Sequence, residues 1–242
     1  MARVFITGSA DGLRLLAAKA LIDRGHRVVL HARNEWRAGQ TLNKISNAEN
    51  ILTGDLGSID ETKELAAKVN ASGKFDAVIY NAGVSGATVK ELFAVNTLAP
   101  YILTCMIEKP KRLIYLSSGM HLHGHFQPDI FKSGSCNYSD TKLHLLMLCK
   151  TAARKWTDVY ANALNPGWVP TKMGGRAAPD NLQKGVETQV WLAVSNDVKA
   201  KVSGKYFFHQ HESRYNPQAD DELLQEKFLN LCKEITGVSF PG

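Results

Sequence analysis

Short apolar runs alternate along this chain with longer segments whose apolar positions recur every three or four residues. The runs read as strands over Arg3–Thr7, Arg27–His31, Asn50–Leu52, Ala77–Tyr80, Arg112–Ser117, Val159–Leu164 and Tyr206–His209. Between them the spacing predicts helices over Leu13–Arg24, Trp36–Ile45, Ile59–Val69, Val89–Ile107, Tyr138–Lys155 and Leu182–Ala193, and a last one over Asp220–Ile235. Several strands are apolar at consecutive positions, as expected when helices cover both faces of a sheet. The alternation itself predicts an α/β protein built on a parallel sheet. Two stretches break the rhythm: His121–Gly134, and Asn165–Asn181, which is rich in Gly and Pro.

Length and composition add bounds. The 242 residues can form one domain with a substantial core, and 44% apolar with 21% charged residues is ordinary for a soluble globule. No apolar run approaches a membrane span, and strand and turn begin too early for a signal peptide. Cys105, Cys136, Cys149 and Cys232 form no C-x-x-C pair, which suits reduced thiols in a cytoplasmic protein. The net charge of +6 is spread without a dense basic run, so it points away from nucleic acid and suits an anionic small ligand.

In a sheet of this kind, ligands gather beyond the carboxyl ends of the strands. There the first run leads into Thr7-Gly8-Ser9-Ala10-Asp11-Gly12-Leu13-Arg14, a glycine turn opening a helix, where phosphate oxygens can meet free backbone N–H groups. The second run ends in His31-Ala32-Arg33-Asn34. An acidic residue at this point holds ribose hydroxyls, whereas an arginine accommodates a 2′-phosphate; Arg33 therefore favours NADP(H). Gly54-Asp55-Leu56 follows the third run; Asp55 can accept a bond from an adenine amino group or cap the next helix. Asn81-Ala82-Gly83 follows the fourth, and small residues there let backbone approach a flat ligand.

Candidate reacting groups lie further on. Tyr138 and Lys142 are one helical turn apart and share a face. A lysine cation beside a phenol lowers its pKa and suits it to proton transfer. Ser117 and Ser118 end the fifth run, where a hydroxyl can hold a carbonyl, and neighbours on a strand alternate sides, so one of the two faces the site. Asn96 is a polar residue inside an apolar helical stretch and needs a local partner or a water.

The order Thr7-Gly8-x-x-x-Gly12, Asn81-Ala82-Gly83, Asn96, Ser118, Tyr138-x-x-x-Lys142 and Asn165-Pro166-Gly167-Trp168-Val169-Pro170-Thr171 resembles the single-domain branch of the short-chain dehydrogenase/reductase family across nearly the whole chain. The resemblance implies a Rossmann-type, doubly wound three-layer sandwich with a mainly parallel sheet of about seven strands. It implies NADP(H)-linked interconversion of carbonyls and alcohols, with Tyr138 as acid/base, Lys142 holding the nicotinamide ribose, Ser118 orienting the carbonyl and Asn96 holding a relay water. Implied cofactor contacts are Gly8, Ser9, Asp11, Gly12, Leu13, Arg14, Arg33, Asn34, Asp55, Leu56, Asn81, Ala82, Gly83, Pro166, Gly167, Val169 and Thr171, besides Tyr138 and Lys142. The stretches 119–137 and 165–181 are expected to shape the substrate pocket.

Departures from the family pattern matter too. Both the spacing from Asn81 to Asn96 and that from Asn96 to Ser118 are short, so assembly through the intervening helix is not assumed, and a homodimer stays open. Arg14 stands where a third glycine is usual. On a helical wheel it falls with Ala17, Ala18 and Leu21 on the apolar stripe, so its charge must reach something wet or anionic, and the expected anion is the cofactor's pyrophosphate. His121, His123 and His125 could bind a metal from one face of an extended strand, but their place after the fifth run favours a pocket lining and no metal. The leading expectation is an NADPH-dependent carbonyl reductase or alcohol dehydrogenase; the alternative is a weakly active NADP(H)-binding regulator or redox sensor. A sugar-nucleotide epimerase fits worse, for want of a second domain.

Overall fold

A computed structural model describes residues 1–9, 12–129 and 134–242. Eight strands form one sheet in the order β3-β2-β1-β4-β5-β6-β7-β8. They are β1 (Arg3–Ile6), β2 (Arg27–Ala32), β3 (Asn50–Thr53), β4 (Ala77–Tyr80), β5 (Arg112–Leu116), β6 (Tyr160–Asn165), β7 (Tyr206–Phe208) and β8 (His211–Glu212). Every pairing is parallel except β7 with β8. The strand order reverses between β1 and β4, and the crevice outside their carboxyl ends is where such sheets take ligands.

The consecutive apolar residues face two separate cores. Phe5, Val29, Val78, Tyr80, Leu113 and Tyr115 face one cluster, packed with α3 (Ile59–Ala71), α5 (Ala99–Met106), α6 (Tyr138–Lys155) and α8 (Glu222–Thr236). Their neighbours Val4, Ile6, Val28, Leu30, Ala77, Ile79, Ile114 and Leu116 face the other, packed with α1 (Gly12–Asp23) and α7 (Leu182–Val194). This is the period-2 alternation of a strand, with apolar residues demanded on both sides. The expected three-layer, doubly wound architecture is present. The remaining helices are α2 (Glu35–Leu42), capped by Asn34, and α4 (Val89–Phe93), capped by Thr88.

Two expectations change. The edge strand β8 was not expected. Its two residues are exposed and polar, and its hairpin turn uses His209 and Gln210 at φ 49° and 66° in place of the Gly or Asn that usually marks such a turn. The helix expected over Val89–Ile107 is interrupted, because Ala94–Leu98 forms a π-helical turn between α4 and α5. Asn96 sits in that turn, and Pro100 follows in the first turn of α5, where a missing N–H costs little. Among the described residues no helix is long and apolar enough to cross a membrane.

Candidate active site

The carboxyl ends of the strands surround a groove of about 1130 Å³. Its walls are the β1–α1 turn, the loops after β2, β3 and β4, the end of β5, the start of α6 and the loop after β6. At Gly8 the chain turns with φ 67°, and a Cβ there would stand 3.0 Å from the backbone of Ala82. Only glycine lets these two loops approach so closely. Thr7 joins them too: its hydroxyl oxygen accepts the N–H groups of Asn81 and Ala82, each at 3.0 Å.

His31 braces the same region. Its Nδ1 accepts the Gly8 N–H at 2.9 Å, so its Nε2–H donates to the Gly54 carbonyl at 2.8 Å. From within β2, one buried ring thereby ties together the turns after β1 and β3. Burial is the main reason its pKa falls to about 4, with the nearby Arg14 charge adding to the shift, so the ring is neutral at physiological pH. Nothing in the sequence spacing pointed to this role.

At the other end of the groove, Lys142 is 5% exposed and donates from Nζ to the Leu116 carbonyl at 2.9 Å. The Nζ lies 5.4 Å from the centre of the Tyr138 ring, which confirms the shared helical face. A Cβ on Gly83 would come within 3.4 Å of this Nζ. Ser118 is half-buried and lies near enough to the Tyr138 phenol to pull its pKa down. The neighbouring Ser117 points away and donates to the Lys142 carbonyl at 2.7 Å. Of the two serines, Ser118 faces the tyrosine, as the alternation along a strand requires.

The expected charge relation is corrected here. Tyr138 has its pKa raised, because burial outweighs the pull of the Ser118 hydroxyl and the Arg14 charge. Lys142 is itself lowered to about 7, first by burial and then by Arg14. An ammonium that costly to keep inside the fold cannot activate its neighbour as a surface lysine would. The Asn96 side chain is committed within the protein. Its amide is fully buried, accepts from the Val84 N–H at 2.8 Å, and donates to the Val84 carbonyl at 2.9 Å and to the Thr141 hydroxyl at 3.1 Å. The side chain holds the β4–α4 loop and does not line the groove.

Most of the other expected contacts line the groove: Gly8, Gly12, Leu13, Arg14, Arg33, Asp55, Leu56, Asn81, Ala82, Gly83, Pro166, Gly167, Val169 and Thr171. Ser9 does not, because its buried hydroxyl is used by Ile6 and by both backbone groups of His31. Asn34 does not either; its side chain caps α2 by accepting from Arg37 N–H at 3.0 Å. Asn81 lines the groove through its small-residue turn, while its side-chain amide donates to buried Gln189 on α7. Asp55 bonds the Gly57 N–H, and Ser58 is the residue that caps α3. Asp11 lies outside the described residues, as do residues 130–133 of the stretch expected near the substrate.

Sequence reading missed Arg37, Val84 and Ser85, which line the groove, whereas Met120, Lys172 and Met173 lie in the two stretches expected to shape the pocket. Among the described residues, five cations (Arg14, Arg33, Arg37, Lys142 and Lys172) and two carboxylates (Asp55 and Asp180) line the groove. Trp168, open to either pocket-wall or packing use, is exposed at the groove and anchored by its indole N–H to the Gly174 carbonyl at 2.7 Å. His121 is not part of a histidine face. It is buried, and its Nδ1 lies 2.5 Å from the Ser118 carbonyl. Among the described residues no cluster of three or more His, Cys, Asp or Glu could hold a metal.

The comparisons with known proteins agree with this arrangement. Residues 2–182 match the family model for short chain dehydrogenases. An uncharacterised oxidoreductase of Emericella nidulans is 44% identical over 256 aligned positions that cover all of both chains. The fold superimposes on an uncharacterised protein of Mycobacterium paratuberculosis with a TM-score of 0.84 at 19% identity, over 100% of this chain and 96% of the other. It also superimposes on a Pseudomonas aeruginosa RhlG/NADP active-site complex with a TM-score of 0.70 at 18% identity, over 85% and 93% of the two chains. A glycine turn at the sheet's switch point, a serine on a tyrosine and a buried lysine one turn further thus coincide with a family match over most of the sequence, and the chain belongs to the short-chain dehydrogenase family of oxidoreductases.

Proposed function

We propose that this protein is an NADPH-dependent reductase of lipophilic ketones or aldehydes, working in reverse on the corresponding alcohols. The observation that carries the reading is the convergence of Ser118, Tyr138 and Lys142 at one end of a cation-lined groove whose other end holds Arg33. The residues fit a dinucleotide: the glycines Gly8 and Gly83 present bare backbone to the groove, and among the described lining residues the cations outnumber the carboxylates. Similarity to a fold solved with NADP supports the same cofactor class. The bound nicotinamide supplies the hydride.

The chain's own residues do the rest. Ser118 and the Tyr138 hydroxyl, which lie close together, hold a carbonyl oxygen between them, and Tyr138 donates the proton as that oxygen gains charge. Lys142, when its Leu116 contact gives way to a ribose hydroxyl, orients the nicotinamide half. Arg33 is half exposed, with its guanidinium 3.9 Å from the Asp55 carboxylate. So loose an exposed pair contributes little and leaves the fork available to a 2′-phosphate. Pro166, Gly167, Val169 and Thr171 form the wall beside the nicotinamide, and Thr171 touches the Gly12 turn, 3.7 Å from where a Cβ would stand.

The substrate class follows from the mouth of the groove. Met120, Trp168 and Met173 are among the exposed large apolar side chains of the protein, and all three line it. A flat, conjugated or aromatic carbonyl compound would cover them, with thioethers and indole offering polarisable contact.

NADPH and NADH consumption over a panel of aromatic and aliphatic carbonyls tests the reading, with Arg33→Ala run beside the wild type. The expected result is turnover of aromatic carbonyls with NADPH, and a rise in KM for NADPH of about tenfold in Arg33→Ala, in line with a lost charge-assisted bond. KM for NADH should change less than about twofold. Equal loss with both cofactors would remove Arg33 from the 2′-phosphate, and no turnover with any carbonyl would remove the enzyme assignment.

A further inference from the structure

Lys142 is a buried amine without a counterion. Among the described residues its one hydrogen-bond acceptor is the Leu116 carbonyl, 2.9 Å from Nζ, and no carboxylate pairs with it. The charge that acts on it is positive. Arg14 leaves the first turn of α1 for the same corner, with Nη1 3.5 Å from the Gly8 carbonyl and Nη2 3.4 Å from the Gly83 carbonyl. A Cβ on Gly83 would lie 3.4 Å from Lys142 Nζ. Two cations therefore flank one glycine. Lys142 is 5% exposed and lines the groove, so the groove is the route by which a small molecule reaches Nζ.

Burial, a cationic neighbour and the lack of a counterion all favour the neutral amine over the ammonium. A neutral lysine is a nucleophile toward carbonyl carbon. With a pKa of about 7, about half of Lys142 is neutral at pH 7. An exposed lysine keeps roughly one part in a thousand or less in that form. The Tyr138 ring centre is 5.4 Å from Nζ, and Ser118 lies beside the phenol. A carbonyl compound whose oxygen is held by those two hydroxyls thus brings its carbon close to a second nucleophile besides the nicotinamide hydride.

We propose that Lys142 is a carbonyl-capture site: when no dinucleotide covers it, its amine condenses with an aldehyde in the groove to form an imine. Nζ bonds to the carbonyl carbon, the C–O bond breaks, and the oxygen leaves as water with the two protons of the amine. Nothing is oxidised or reduced, and water reverses the step. The inference rests on the carbonyl-reductase reading above and adds a form of self-inhibition to it. Aldehyde that arrives before the dinucleotide blocks the enzyme, and dinucleotide that arrives first protects it.

Benzaldehyde with sodium cyanoborohydride, which reduces an imine to a stable secondary amine, tests this at pH 7 with peptide mass spectrometry as the readout. In the dinucleotide-free wild type, Lys142 should gain the mass of the aldehyde less one oxygen atom. Its labelling should exceed that of any exposed lysine by about a hundredfold or more. NADPH at about a hundred times its Kd should suppress the labelling by at least about tenfold. 2′,5′-ADP, which carries the adenosine end without a nicotinamide, should leave it within about twofold. Labelling at Lys142 should rise from pH 6 to 8 and then level off, while that of exposed lysines keeps rising. Label on the exposed lysines with none at Lys142 would overturn the capture site. Undiminished labelling under saturating NADPH would overturn the protection. If NADPH supports no turnover of any carbonyl while Lys142 is still labelled, the reductase reading fails and the capture site stands.

Discussion

Tyr138→Phe should lower kcat by about a thousandfold or more while leaving the Kd for NADPH within about threefold. Proton transfer by a positioned group contributes roughly 10²–10⁴-fold, and in the proposed reaction the phenol both donates the proton and holds the substrate oxygen. The benzene ring of phenylalanine keeps the packing at the start of α6, where Asn137 and Asp140 form a capping box that is untouched by the change. Burial already holds Tyr138 above its ordinary pKa, with Ser118 and Arg14 opposing that shift. The wild type therefore presents a protonated phenol at neutral pH, the form a reductase needs. Single-turnover mixing with a reactive aromatic carbonyl reads the effect. A variant that retains a tenth of wild-type kcat would show that the proton comes from elsewhere.

Lys142→Met should stabilise the ligand-free protein and abolish most turnover, two effects of opposite sign at one position. Lys142 is buried, and its pKa falls from 10.5 to about 7 through burial first and Arg14 second. That difference amounts to roughly 5 kcal/mol of cost for keeping the charged form in the folded state. The sign follows from the proton count. Below pH 7 the lysine is charged in both states and the whole cost is present. Between pH 7 and 10.5 the folded protein has lost a proton that the unfolded chain keeps, so wild-type stability rises with pH across that window. Methionine keeps most of the volume without the charge. At pH 6 its Tm should exceed the wild type's by roughly 10–20 °C, and the gap should close toward pH 10. Differential scanning calorimetry from pH 6 to 10 measures both. A destabilised variant with a constant gap would mean that the ammonium earns its place through the Leu116 bond alone.

The layers of the fold were legible because burial on both faces of a parallel sheet forces consecutive apolar residues, and helices announce themselves by their spacing. β1 to β7 and α1 to α8 fall close to where those periods put them, apart from the π-helical turn. That turn was hidden because an extra residue in a helix leaves no mark in composition. Asn96 in its middle was noticed as an anomaly, but its partner is the backbone of Val84, a contact only the folded loop defines. Local pairs such as Tyr138 and Lys142 could be placed from spacing alone. Their charge relation could not, because desolvation depends on what the rest of the chain packs over them. The brace made by His31 likewise needs β2 and two loops together. Arg14 was legible as a conflict between a charge and an apolar stripe, and the conflict is resolved by a side chain that leaves the stripe.

The central claim is that the groove takes a nicotinamide dinucleotide with its reactive end beside Gly83 and Lys142. The most direct measurement is titration of NADPH into wild type and Gly83→Val by nicotinamide fluorescence, with 2′,5′-ADP as the control ligand. Any Cβ at this position approaches Asn96 Oδ1 to 3.3 Å and Lys142 Nζ to 3.4 Å, and the valine methyls must extend further into that space. The account predicts one NADPH per chain in the wild type, at least about tenfold weaker binding in the variant from overpacking, and equal affinity of both for 2′,5′-ADP. Undiminished NADPH binding by Gly83→Val would contradict it, since the nicotinamide would then lie somewhere else.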